Sequence, residues 1–137
     1  MSIDGYSERF VQMASSVDRY GALDKPDGYG KKTGDCGDTI EFFLSARTGQ
    51  VKMLTFQISG CLNTFACANT VSYLAEGRAI DDCWKITPEN VLDFLESLPA
   101  DHHHCAELVV GAFYLALNDY NRNVREPWRK DYFERKV

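Results

Sequence analysis

The sequence lacks a long apolar segment. No run approaches the roughly 18 consecutive apolar residues that a membrane-spanning helix requires. The amino-terminal residues MSIDGYSERF also lack the apolar core of a secretory signal peptide. We therefore expect a cytoplasmic protein that makes no use of a membrane.

Paired cysteines are also missing. The sequence has no Cys-X-X-Cys motif, which removes the main support for a zinc ribbon or a thioredoxin-like redox site. An odd number of cysteines argues against a disulfide framework in a cytosolic chain. Cysteine is a common small core residue, and we interpret Cys83 in that way. The five cysteines are Cys36, Cys61, Cys67, Cys83 and Cys105.

Positive charge is scarce outside the carboxy-terminal end. The net charge is −5, and residues 121–137 contain six basic and three acidic residues, so the rest of the chain carries −8. An acidic body argues against general binding to nucleic acid. We interpret residues 120–137 as a basic, solvated helical tail of one domain that spans residues 1–137.

Periodicity predicts an α+β fold with a short antiparallel sheet and helices packed on one face. Helices are expected over residues 7–20 and 63–76, from Pro88 to Leu98, and after Asp101 as a potential N-cap. Residues 21–34, rich in glycine, read as a loop with room for a short edge strand. Alternating apolar residues predict a hairpin of strands 39–47 and 51–59, and Val51 and Met53 are out of phase as at a bulge.

The stretch GDCGD, residues 34–38, lies directly before the first strand of this hairpin. Its glycines favour turn conformations, which suits either an ordinary tight turn or a metal site formed by Cys36 and Asp38. Cys61 directly follows the returning strand. Because the start of one hairpin strand and the end of the next are neighbours, Cys36, Asp38 and Cys61 should meet at one end of the sheet.

Cys105 lies near the first turn of the helix that follows Asp101. The helix dipole there favours a negative charge, so we expect a lowered thiol pKa. His102, His103 and His104 precede it, and adjacent helical residues point in different directions. We select His104 as the site histidine because it adjoins Cys105, and assign His102 and His103 to solvent.

Three motifs resemble those of the iron–sulfur cluster scaffold family of the IscU and NifU N-terminal type. They are Cys36-Gly37-Asp38 before a strand, Gly60-Cys61 after the returning strand, and Leu98-Pro99 followed by His104-Cys105. The resemblance covers roughly residues 34–120. It implies that Cys36, Cys61 and Cys105 converge on one metal site with Asp38 and His104 as companion ligands.

By this resemblance the protein is a carrier and not an enzyme. It would hold a transient iron–sulfur cluster, 2Fe–2S in preference to 4Fe–4S, and the purified protein would also accept zinc. Its partners would be a cysteine desulfurase, an iron and electron donor, and apo client proteins. Cys105 would accept persulfide sulfur.

The chain departs from the family pattern in two places. Residues 98–102 read LPADH where the family has LPPVK, which argues against recognition by a dedicated Hsp70-type chaperone. Residues 62–67 are bulkier than the family's small residues and add Cys67, which we interpret as a core thiol and not a fourth ligand.

Two alternatives remain open. A zinc-containing sulfur acceptor would use the same residues, although such relatives carry an insertion before the HC pair that is missing here. The other alternative is an interaction module without metal.

Overall fold

The computed structural model describes residues 6–35 and 37–126. Three antiparallel strands form one sheet in the order β1–β2–β3, with β1 at Gly28–Thr33, β2 at Thr39–Arg47 and β3 at Gln50–Ser59. The helices are α1 (Glu8–Ser15), α2 (Leu62–Ala75), α3 (Ile80–Cys83), α4 (Pro88–Leu95) and α5 (His103–Arg125), with a 3-10 turn at Ala100–His102. None of the helices in these two ranges is long and apolar enough to cross a membrane.

The β2–β3 hairpin forms where the alternating pattern predicts it. The middle of its apolar face is fully buried, from Ile40 to Leu44 on β2 and at Leu54 and Phe56 on β3, and the pairing register shifts between Ser45 and Ala46. Val51 and Leu54 are both buried while Met53 is 43% exposed, because the extra residue of a β-bulge changes which side chains face the core. The predicted bulge is confirmed.

Strand β1 falls inside the segment that reads as a loop. It pairs with β2 from Gly28↔Leu44 to Thr33↔Thr39. Its glycines serve close packing and not a turn, because a Cβ added at Gly28 or Gly30 would collide with the backbone of α5. The loop prediction is therefore wrong for these six residues, and the edge strand left open for this segment exists.

Helix α1 is shorter than predicted. It ends at Ser15, and the Asn69 amide of α2 donates hydrogen bonds to the carbonyl oxygens of Met13 (2.8 Å) and Ser16 (2.7 Å) at that end. Val17, which the periodicity places on the apolar helix face, is 69% exposed. A side chain from another element thus ends the helix, which the local pattern does not reveal.

The N-cap prediction is confirmed for α4 and wrong for α5. Thr87, which the sequence Thr-Pro-Glu-Asn predicts as the N-cap before Pro88 at the first helical position, caps α4 through a reciprocal capping box with Asn90. Asp101 does not cap α5, because it lies in the 3-10 turn and the N-cap position belongs to His102. The 3-10 turn brings the chain into α5 one residue later than expected.

The core lies between the sheet and a helical layer. Helix α5 packs across β1 and β2, α2 packs against β3 and α5, and α1 and α4 pack against α2. Phe42 of β2 meets Phe56 and Phe113 edge to face, at ring-centroid distances of 6.2 and 5.9 Å. The predicted α+β class, with helices on one face of a short antiparallel sheet, is confirmed.

The carboxy-terminal tail is described only in part. Helix α5 extends to Arg125, so residues 127–137 of the predicted basic tail lie outside the described residues. The single-domain organisation of residues 1–137 remains a prediction.

Candidate metal centre

Two of the predicted ligand cysteines lie side by side. Cys61 follows β3 and forms the N-cap of α2, and Cys105 lies in the first turn of α5. Their sulfur atoms and one ring nitrogen of His102 all lie within 4.8 Å of one another, the one such group of His, Cys, Asp or Glu side chains among the described residues. Cys36, the third predicted cysteine, lies outside the described residues.

The starts of two helices meet at this group. Cys61 makes no side-chain hydrogen bond that caps α2, and the first turns of α2 and α5 contain no acidic residue. The partial positive charge of a helix N-terminus favours an anion nearby. The two helices therefore favour thiolate and other negatively charged ligands at this point.

Asp38 reaches the same place from the start of β2. Its Oδ2 accepts a hydrogen bond of 2.7 Å from the Thr64 hydroxyl and a longer one, 3.4 Å, from the Cys61 backbone N–H. The carboxylate thus lies at the N-terminus of α2, beside Cys61. This agrees with the expectation that Asp38 and Cys61 meet at one end of the sheet.

Gly60 leaves the space that the Asp38 carboxylate occupies. A Cβ at Gly60 would lie 2.7 Å from Cγ and 2.8 Å from Oδ2 of Asp38. The sequence motif Gly60-Cys61 therefore has a packing reason as well as a chemical one.

We expect Gly60→Ala to move Asp38 while leaving the fold in place. The atoms that collide belong to a side chain able to rotate, so stability should fall by no more than about 1 kcal/mol. Thermal unfolding measures that loss, and the visible spectrum of bound Co²⁺ reports the ligand set. Gly111→Ala is the matched control because its Cβ would meet the flexible Lys32 side chain. Identical Co²⁺ spectra for wild type and Gly60→Ala would contradict the packing argument.

The three histidines occupy different positions. His104 Nε2 lies 3.7 Å and His102 Nδ1 3.9 Å from Cys105 Sγ, and the two rings stack at 5.9 Å. The His103 ring nitrogen lies 3.3 Å from the carbonyl oxygen of Leu98. His104 adjoins the thiol as selected, but His102, assigned to solvent, is half-buried and completes the group with Cys61.

A sequence signal for His102 exists. His102 and Cys105 are three residues apart, a spacing that places side chains on one helix face. Adjacency to Cys105 favours His104, whereas this spacing favours His102.

The expectation of a lowered pKa at the Cys105 thiol is wrong. Burial raises the pKa of the Cys105 thiol to about 11, and the neighbouring Cys61 thiol and Asp38 carboxylate add to the rise, while a hydrogen bond with Thr64 lowers it. The side chain is fully buried. Desolvation outweighs the helix dipole here, and a bound cation would reverse the balance.

Cys67 and Cys83 are core residues, as predicted. Both are fully buried within the apolar core. Burial raises the pKa of the Cys67 thiol far above its ordinary value, with smaller contributions from Cys105 and Cys61. Burial raises the pKa of Cys83 to about 11.

Thr64 also lies at this group, although none of the sequence motifs includes it. It is fully buried in the first turn of α2 and touches both Asp38 and Cys61. Its position three residues after Cys61, on the same helix face, is the signal that would have identified it.

These observations define an α+β domain in which thiols, an imidazole and a carboxylate meet at one end of a hairpin. Residues 6–127 match the model of the NifU-like N terminal domain family. The chain belongs to that family.

Related sequences and solved structures agree with membership of this family. Iron-sulfur cluster assembly scaffold protein IscU 1 of Archaeoglobus fulgidus is 27% identical over 118 residues, which are 85% of this chain and 77% of the relative. Iron sulfur cluster assembly protein 1 of Debaryomyces hansenii, described as mitochondrial, is 29% identical over 130 residues, 89% of this chain and 72% of that protein. The crystal structure of a NifU-like amino-terminal protein from Brucella abortus has the same fold, with a TM-score of 0.70 at 16% identity over 85% of this chain and 94% of that one.

Proposed function

We propose that this chain is a scaffold on which a labile iron–sulfur cluster is assembled and from which it passes to apo-proteins. One observation carries the proposal: the ligand atoms of Cys61, His102 and Cys105 lie within 4.8 Å of one another at the starts of two helices. Membership of the NifU-like family and the names of its relatives support the same conclusion. The protein acts as a carrier in this proposal, and not as an enzyme.

The donor set suits such a cargo. We assign the thiolates of Cys36, Cys61 and Cys105, the Asp38 carboxylate and an imidazole from His104 or His102 as ligands. Thiolates are soft ligands that favour iron–sulfur clusters. Carboxylate oxygen is a hard and weaker partner for such a cluster, so a mixed set holds it less firmly than four cysteines would. This ligand set therefore suits a 2Fe–2S cluster that is bound for a short time and released, and not a cluster that is bound permanently.

Sulfur would come from a cysteine desulfurase. Its persulfide would pass the outer sulfur to the Cys105 thiolate, and the desulfurase cysteine would leave as a thiolate. Because Cys105 is fully buried, the site must open before the partner reaches it. An iron and electron donor and apo client proteins complete the set of partners, without a dedicated Hsp70-type chaperone. The cytoplasm is the proposed location, in keeping with free thiols at all four described cysteines.

Anaerobic reconstitution tests the proposal. The protein is mixed with ferrous iron, cysteine, a cysteine desulfurase and a thiol reductant that supplies the two electrons needed to convert each persulfide sulfur to sulfide, and visible absorption and metal content are measured. A scaffold gives a brown protein with thiolate-to-iron charge-transfer bands. If the protein forms no cluster and binds no metal, the proposal is overturned and an interaction module without metal is favoured.

A zinc-containing sulfur acceptor is the second candidate. The described sulfur–nitrogen–sulfur group is also a ligand set that zinc prefers. In the same experiment this candidate gives stoichiometric zinc, no cluster, and a persulfide on a cysteine that mass spectrometry detects. The two candidates therefore separate in one set of samples.

We expect Asp38→Ala to slow release of a bound cluster while leaving the fold intact. The hard oxygen ligand is the one that an incoming client thiolate displaces most easily, so without it exchange must begin at a stronger ligand. Transfer to an apo-ferredoxin, followed by circular dichroism in the visible range, measures the rate. Asp35→Ala, in the exposed part of the same turn region, is the control. An unchanged transfer rate in Asp38→Ala would contradict the role given to this carboxylate.

A further inference from the structure

A pocket remote from the metal centre lies where α1, α4 and the carboxy-terminal end of α2 meet. Its volume is about 320 Å³, which is at the lower end of the range that small-molecule sites occupy. Leu74, one of its lining residues, comes 13 residues after Cys61. A helix rises about 1.5 Å per residue, so the two lie about 20 Å apart along α2. The other lining residues are Arg9, Arg78, Asn90, Asp93 and Phe94.

The Arg9 guanidinium group is held in place by an aromatic ring. Its Cζ lies 4.8 Å from the centre of the Phe94 ring, and that ring in turn packs against the ring of Tyr73 at 5.4 Å. A guanidinium group that stacks on a ring keeps its N–H donors in its own plane, where they can still bind a carboxylate. Arg9 therefore offers an oriented set of donors to an anion.

The Asn90 amide is oriented by the cap of α4. Its Oδ1 accepts a hydrogen bond of 2.9 Å from the Thr87 backbone N–H, as one half of the capping box. The amide nitrogen, at the other end of the group, has no acceptor among the residues that the structure describes. The pocket thus has a second donor that is fixed by the backbone and available to a ligand.

The charged side chains of the pocket do not neutralise one another. Two guanidinium groups, Arg9 and Arg78, and one carboxylate, Asp93, line it, yet within residues 6–35 and 37–126 none of them takes part in an ion pair. A simple anion would leave Asp93 without a partner, and a simple cation would be repelled by the two guanidinium groups. A molecule that carries both charges provides partners for all three.

We propose that this pocket binds an α-amino acid with an apolar side chain. The guanidinium groups of Arg9 and Arg78 donate to its carboxylate, and the Asp93 carboxylate accepts from its ammonium group. The apolar part of the pocket, Leu74 and Phe94, contacts the ligand side chain and removes it from water. The inference goes beyond the proposed function and does not depend on it.

NMR spectroscopy of the ¹⁵N-labelled protein, titrated with L-leucine, tests the inference. We expect saturable shifts of the backbone signals of the lining residues and unchanged signals for Cys61 and Cys105. Two ligand analogues each lack one charge: N-acetyl-L-leucine has no ammonium group and L-leucinamide has no carboxylate. Each should bind about fivefold more weakly than L-leucine.

Two variants match the charges that the analogues lack. Asp93→Asn should weaken the binding of L-leucine about fivefold, but it should not weaken that of N-acetyl-L-leucine. Arg9→Gln should weaken the binding of L-leucine and not that of L-leucinamide. Arg47→Gln, which changes an exposed arginine at the end of β2, is the control and should leave every affinity unchanged. Thermal unfolding verifies that each variant keeps its fold.

Four results would overturn the inference. One is the absence of saturable shifts up to the solubility limit of L-leucine. The second is equal affinity for L-leucine and N-acetyl-L-leucine, which would make the pocket a site for carboxylates alone. The third is equal affinity for L-leucinamide, which would remove the role of the guanidinium groups. The fourth is an equal loss in Arg9→Gln and Arg47→Gln, which would indicate a general effect of charge. Failure to assemble a cluster would count against the proposed function alone.

Discussion

Cys105→Ala is expected to lower the affinity for Zn²⁺ by more than about 100-fold, since the proposed site would lose a ligand and not merely a residue that supports one. Cys61→Ala should do the same. The two sulfur atoms and a His102 nitrogen form the described part of the site, so loss of either sulfur leaves too few strong donors. Competition with a chromophoric chelator measures the affinity, and Co²⁺ charge-transfer absorption shows whether thiolate ligation persists.

Two other cysteines provide matched controls for that result. Cys83→Ala and Cys67→Ala each remove a thiol that is as fully buried as that of Cys105. They should cost a comparable amount of stability, on the order of 1 kcal/mol, and leave metal affinity near the wild-type value. Equal losses of affinity in Cys83→Ala and Cys105→Ala would contradict the assignment of the site. A large loss in Cys67→Ala alone would make this cysteine a ligand.

Gly30→Ala is expected to be the most damaging glycine substitution in the sheet. A Cβ at this position would collide with the Ala112 carbonyl oxygen and lie 2.5 Å from the Ala116 nitrogen of α5. Backbone atoms inside a helix cannot rotate away, so β1 and α5 must separate. Overpacking of this kind costs roughly 1–3 kcal/mol, and we expect a value near the top of that range.

Urea unfolding monitored by far-ultraviolet circular dichroism measures this loss. Lys31→Ala, at the next position of β1 with its side chain exposed, is the control and should stay within about 0.5 kcal/mol of wild type. Equal stability for Gly30→Ala and wild type would mean that α5 does not approach the strand as closely as described.

The sequence predicts elements whose pattern is local. The β2–β3 hairpin, its bulge and the Thr87 cap each depend on residues close together in the chain. The sequence does not predict strand β1 because glycine usually marks a turn. The packing role of the β1 glycines becomes visible only when α5 lies over the strand. The predicted helix over residues 7–20 also ends early, at Ser15, because the Asn69 amide of α2 binds the carbonyl oxygens at that end.

In the candidate site, too, features that depend on neighbouring residues are predictable from the sequence, and features that depend on distant packing are not. That Asp38 lies beside Cys61 follows from hairpin geometry. That Cys105 also lies beside Cys61 depends on the path of the chain through α4 and the 3-10 turn, and in the sequence only the family resemblance indicates it. The direction of the Cys105 pKa shift could not be read from its helix position, because burial depends on the whole core.

A scaffold holds a labile cluster and passes it on to another protein, and this is the function that we propose for this chain. The most direct test is to reconstitute the wild-type protein anaerobically, add an apo-ferredoxin, and follow its visible circular dichroism with a chelator present to trap free iron. We predict that the ferredoxin acquires its cluster within minutes despite the chelator, and that the scaffold's own bands disappear at the same rate. A cluster that stays on this protein, or that is lost to the chelator before the ferredoxin acquires it, would contradict the claim.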